Sequence, residues 1–288
     1  MTVPPEVLDK ILERIPTDRN GRPTLIACAL VATRWTGPSQ RRLFSSVKID
    51  DDNYSRWTNG VALSGSKTHL LQHVRSLQYQ RMLDSGIPYP MQDLPKEPGE
   101  FFSALHNIRS LEFVNVRIGR LSKELETCFS AFRGTLTNLT LDPFITSFGA
   151  FVSLVDYFPN VTALRLGMFA LGPDEGPVPT LSRPLRGKLR ILPPHPTSLE
   201  FIDRLAKLDQ EYEELVVDPN FMPLRTESFE RVLQFSTGTV RYLRLLGDLE
   251  CEYFLHTPSS LHVLIQHFKS WTDRQSRSVI FDNSENCN

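Results

Sequence analysis

One short pattern recurs along most of the chain and restricts its fold more than any other feature. It has the form apolar-x-x-apolar-x-apolar. It appears at Val74-Arg-Ser-Leu77-Gln-Tyr79, Ile108-Arg-Ser-Leu111-Glu-Phe113, Leu136-Thr-Asn-Leu139-Thr-Leu141 and Val161-Thr-Ala-Leu164-Arg-Leu166. A weaker copy, Lys188-Leu189-Arg-Ile191, precedes Tyr212-Glu-Glu-Leu215-Val-Val217 and Val240-Arg-Tyr-Leu243-Arg-Leu245. Taking the central leucine as marker (77, 111, 139, 164, 189, 215, 243), successive gaps are 34, 28, 25, 25, 26 and 28 residues. Val47-Lys-Ile49 and Val279-Ile-Phe281 are candidate outlying members. Period-two alternation over so few residues predicts short strands. A fixed period of that length means one supersecondary unit used repeatedly.

Between these strands, 121–132, 148–158, 199–208, 229–235 and 261–271 carry apolar residues at three- and four-residue spacing, which predicts helices. A strand-helix unit of 25–28 residues resembles a leucine-rich repeat. The ninth position, where that family prefers Asn, is Asn220 after Leu215 but Asp248 after Leu243 and Phe144 after Leu139, so the repeats are degenerate. The resemblance implies an α/β fold: a leucine-rich-repeat-like solenoid over 47–288 with a curved parallel sheet and outer helices. With the marker leucines inward, alternate residues face the other side. Gln78, Glu112, Thr140, Arg165, Arg190, Val216 and Arg244 then share the concave face, flanked by residues such as Tyr242. Gln78, Glu112, Arg165, Arg190, Tyr242 and Arg244 are the expected contacts for a target protein, Arg and Tyr being frequent interface anchors. A solvated sheet face is the other reading.

The first 46 residues have a pattern of their own. Pro4 and Pro5 stand where a helix begins, and Glu6 follows, favourable at the positive end of the helix dipole. Val7, Leu8, Ile11, Leu12 and Ile15 recur at helical spacing up to Pro16. Asn20-Gly21 supplies a turn and Pro23 opens a second helix, which Pro38 is expected to stop. Its run Leu25 to Ala32, LIACALVA, is apolar on every side, so it needs cover on every side. Either the rest of the chain covers the second side or a partner does. The set Pro4-Pro5-Glu6-Val7-Leu8, Ile11-Leu12, Ile15-Pro16, Leu25, Leu30-Val31, Arg34-Trp35 and Arg42-Leu43-Phe44 resembles the F-box in the form common among fungal F-box proteins. It departs from the pattern Val-Cys-x-x-Trp, reading Val31-Ala32-Thr33-Arg34-Trp35 with the cysteine displaced to Cys28. The resemblance implies a three-helix segment that docks a Skp-family adaptor and, through it, cullin and RING subunits. Pro4, Leu8, Ile11, Leu12, Ile15, Pro16, Leu30 and Trp35 would line that interface.

Charge narrows the partners. Of 288 residues, 32 are Lys or Arg and 33 Asp or Glu, a net charge of −1 that argues against a general nucleic-acid or anionic-membrane binder. The near-zero sum conceals a basic run, Arg183, Arg186, Lys188 and Arg190, and an acidic one over 200–230 with nine acids against three bases. Each is either a solvated face or a binding patch. There is no 18-residue apolar run and no basic-then-apolar leader at the start. The four cysteines are scattered, which points to a reducing compartment, cytoplasmic or nuclear. The 21 prolines cluster at 84–99 and 172–196, read as long surface loops.

No motif for catalysis stands out. The seven histidines form no metal pattern; His69 and His73, four apart, lack a third ligand in register. Phosphate loops, dinucleotide fingerprints and nucleophile elbows are missing from the sequence. No cofactor and no metal are expected. The sequence therefore reads as a non-catalytic substrate receptor of a Skp-cullin-F-box ubiquitin ligase, with an unknown target protein. The alternative is a free-standing repeat scaffold whose N-terminal helices only cap the solenoid.

Overall fold

The computed structural model describes residues 4–50, 52–57, 68–80, 92–93, 99–118, 123–142, 144–167, 169–171, 180–191, 201, 204–205, 207–208, 210–217, 242–245 and 251–254. The chain forms two compact units, one from 1–141 with 157–161 and the other from 142–156 with 162–288. Both are α/β, with parallel strands and helices.

In the first unit three helices precede the first strand: α1 (Pro5–Glu13), α2 (Arg22–Val31) and α3 (Thr33–Leu43). Pro4 is the extended cap of α1, and Pro5 occupies the first turn, where its missing amide costs nothing. The turn into α2 is held by the Asp18 carboxylate, which accepts from the amides of Asn20 (2.9 Å) and Gly21 (3.0 Å). A Cβ at Gly21 would lie 2.0 Å from the Pro16 carbonyl oxygen, so only glycine fits there. Pro38 does not stop a helix as expected. The helix breaks earlier, at Ala32 (φ −159°, ψ 149°), and Pro38 lies inside α3. Gly37 before it removes the Cβ clash that normally keeps a residue preceding proline out of the helical region.

Four strands then pair in parallel: β1 (Ser46–Ile49), β2 (Ser76–Gln80), β4 (Ser110–Val114) and β6 (Asn138–Leu141). The register places Val47, Leu77, Leu111 and Leu139 in one row, all buried. The same corner is built at each step. The Ser45 carbonyl accepts from the amides of Arg75 and Ser76, Arg75 from Arg109 and Ser110, and Arg109 from Thr137 and Asn138, all at 2.7–3.0 Å. Asn107 and Asn160, each four residues before a marker leucine, donate from Nδ2 at 2.7 Å to the carbonyls of Gln72 and Gly134. Short helices α4 (Tyr54–Trp57), α5 (Thr68–Leu71), α6 (Gly99–Ser103) and α7 (Lys123–Phe129), the last followed by a 3-10 turn over Ser130–Phe132, fill the connections. Asn115, at φ 56°, turns the chain from β4 into β5 (Val116–Ile118), which pairs with β3 (Gln92–Asp93). Asparagine tolerates that left-handed conformation better than most residues. The core is aromatic: Tyr79, Phe101, Phe102, Phe113, Phe129, Phe132 and Phe158 are buried, with successive ring centroids 5.5–6.4 Å apart and mostly tilted or edge-on.

The second unit repeats the scheme. β8 (Ala163–Leu166), β10 (Leu185–Ile191), β11 (Gln210–Val217) and β12 (Tyr242–Leu245) pair in parallel, and β13 (Cys251–Phe254) closes antiparallel on β12. Leu164, Leu189, Leu215 and Leu243 stand in one register row. A shorter ladder joins β7 (Phe144–Thr146) to β9 (Phe169–Leu171), and α8 (Phe148–Tyr157) buries Phe148 and Phe151 against Phe201. The loop expected over 172–196 gives way to a strand, β10, that includes the weak copy at 188–191, with Leu185, Leu189 and Ile191 buried; prolines flank it and none lies within. The predicted helices at 229–235 and 261–271 and the strand at 279–281 lie outside the described residues.

Candidate functional site

Two surfaces carry the residues singled out in the sequence. The first is on α1 and α2. Amphipathic spacing divides α1: Leu8 and Leu12, each 2% exposed, pack into the chain, while Val7 and Ile11, each 44% exposed, face outward. α2 buries Leu25 completely, whereas Ile26 (46%), Leu30 (81%) and Val31 (76%) are exposed. Ile26 and Leu30 line a shallow apolar groove with Arg19, Arg22, Pro23 and Ala27. The chain thus covers one side of the LIACALVA helix and leaves the other open.

Of the eight residues expected at an adaptor interface, Pro4, Ile11, Pro16 and Leu30 are exposed, and Ile15 and Trp35 are half-buried. Leu8 and Leu12 are core. Val7 and Ile26, outside those eight, share a helix face with Ile11 and Leu30, each standing four residues earlier, and Val31 adjoins Leu30. The three-helix arrangement is tied by Arg41, whose Nη2 donates to both Asp9 carboxylate oxygens (2.9 and 3.2 Å), and by the Thr36 hydroxyl, which donates to the Ala29 carbonyl (2.9 Å).

The second surface is the sheet face opposite the marker leucines. In the first unit Gln78, Glu112 and Thr140 share a register row, and all three are half-buried. In the second unit the row is Arg165, Arg190, Val216, Arg244 and Glu252. The next row toward the strand starts is Ala163, Lys188, Glu214, Tyr242 and Phe254. Register thus brings Arg165, Arg190 and Arg244 into one line and Tyr242 beside it.

The opposed charge runs meet here. Arg186 on β10 pairs with Glu211 on β11 at 2.8 Å, and Lys188 pairs with Glu214. Both are register neighbours, so the two runs bind each other at least in part instead of an outside ligand.

Among the described residues no three His, Cys, Asp or Glu side chains converge as metal ligands would. No described helix is long and apolar enough to cross a membrane. No known family model matches the chain, and no curated protein matches it either.

Proposed function

We propose that the chain is a non-catalytic substrate-recognition subunit of a Skp-cullin-F-box ubiquitin ligase. α1 and α2 dock the Skp-family adaptor and the sheet face of a leucine-rich-repeat-like solenoid holds a target protein. The observation that carries this reading is the open apolar side of α1 and α2, with Val7, Ile11, Ile26, Leu30 and Val31 all at least 44% exposed. Exposed apolar residues grouped on short helices mark a partner surface. Four of them, Val7, Ile11, Leu30 and Val31, belong to the set whose spacing resembles an F-box. On this reading the chain brings a target close to a ubiquitin carrier held elsewhere in the assembly, raising effective concentration and leaving the chemistry to other subunits.

Co-expression with a Skp-family adaptor tests it. The wild-type chain should co-purify in a stoichiometric complex. Because Ile11 and Leu30 are exposed, Ile11→Asp with Leu30→Asp should leave the fold intact and weaken binding by roughly 100-fold or more, two apolar anchors being worth about 3 kcal/mol together. A folded wild-type chain that does not bind the adaptor sinks the proposal. The buried Leu8, Leu12 and Leu25 favour a second reading, in which these helices cap the repeats. A folded wild-type chain that binds no adaptor, with Leu25→Asp unfolding it, would support that reading instead.

A further inference from the structure

A cleft of about 300 Å³ opens in the first unit where α1 and α3 meet the turn ahead of β2. Asp9 and Glu13 reach it from α1, Arg41 and Arg42 from α3, and His73 and Arg75 from the turn. Four cationic or protonatable groups thus face two acids, and Asp9 is already engaged by Arg41. Arg42 gives one Nη2 bond to the Glu13 carbonyl (3.2 Å), and its Nε is buried without an acceptor among the described residues. Neither Arg42 nor Arg75 makes an ion pair among the described residues.

We infer that this cleft binds a phosphoryl group carried on a small soluble ester. A carboxylate offers two oxygens and is met by one guanidinium fork, whereas a phosphate monoester offers three oxygens and a second charge. Arg42 and Arg75, with His73 between them in sequence, present the separate donors that such a group uses. A water molecule claims about 30 Å³ of liquid, so the cleft has room for a phosphate and several further atoms. The local field has the required sign. His73 is held below its ordinary value of 6.5 by partial burial first, then by the charges of Arg41, His69 and Arg75. None of this depends on the adaptor reading.

Phosphorus NMR on the full chain, titrated with glycerol 3-phosphate, inorganic phosphate and acetate, tests the assignment. Saturable binding of glycerol 3-phosphate is expected, tighter than that of inorganic phosphate, undisturbed by acetate, and accompanied by an upward shift of the His73 titration in proton NMR. Arg75→Gln, at an exposed side chain with no ion pair, should weaken binding at least about fivefold with an unchanged melting temperature; Arg75→Lys should recover part of it. No saturation with either phosphate, displacement by equal acetate, or unchanged affinity in Arg75→Gln each overturns the site. Equal affinity for inorganic phosphate overturns the ester.

Discussion

Tyr212 on β11 is fully buried, yet its hydroxyl has no hydrogen-bond partner among the described residues. Burial alone pushes its ionisation far above the ordinary tyrosine range, so the group stays neutral at any working pH. A buried hydroxyl without a partner pays desolvation and gets nothing back. Tyr212→Phe keeps the ring and removes that cost, so the variant should be as stable as wild type or up to about 1–2 kcal/mol more stable in urea melts. A loss of more than about 1 kcal/mol would mean that the hydroxyl is satisfied in solution. Other single-residue roles were only partly legible. The ninth position of the pattern, Asn in the leucine-rich repeat, falls on Phe144 and on Asn220 and Asp248, the last two outside the described residues. The asparagines that do bond to a neighbouring turn stand four residues before the marker, at Asn107 and Asn160. The pattern of apolar spacing does not report a side chain that bonds to a neighbouring carbonyl, so nothing in the periodicity pointed there.

Strands fared better than their connections. Every marker leucine from Leu77 to Leu243 lies in a strand, because period-two alternation and a regular gap both survive in the sequence. The two- and three-residue strands β3, β5, β7 and β9 went unseen, being too short to show any period. β10 was half hidden among prolines, and its role becomes clear only beside β11. The two charge runs, each read as a solvated face or a binding patch, are partly paired with each other, for register sets Arg186 against Glu211 and Lys188 against Glu214 on an exposed surface. Exposed pairs of this kind are worth about 0.2–1 kcal/mol each, so they select register more than they add stability. The irregular point of this pairing is Gly187, at φ 86°, where the register shifts. A Cβ there would stand 2.1 Å from the Thr162 carbonyl oxygen. Gly187→Ala should therefore cost about 2–4 kcal/mol, left-handed strain plus displacement of a strand, measured by denaturant melts. A cost below about 0.5 kcal/mol would show that the bulge relaxes freely.

At the scale of the molecule, a sequence neutral in sum distributes its apolar surface unevenly. The marker leucines from Leu77 to Leu215 and the phenylalanines of the aromatic core are buried, whereas α1 and α2 keep five large apolar side chains in water. That uneven burial has a thermodynamic consequence if an adaptor covers the helices. A partner that binds only the folded chain stabilises it by mass action, by about 2.7 kcal/mol when present at one hundred times its dissociation constant. For cooperative units of roughly 150–250 residues this corresponds to a melting temperature about 5–10 °C higher. The expected result in differential scanning calorimetry is a shift of that size on adding purified Skp-family adaptor to the wild-type chain. Ile11→Asp with Leu30→Asp should melt where the free wild-type chain does and show no shift. If these helices instead serve only as a cap, the adaptor shifts the melt of neither chain, and the exposed double variant still melts where the free wild-type chain does.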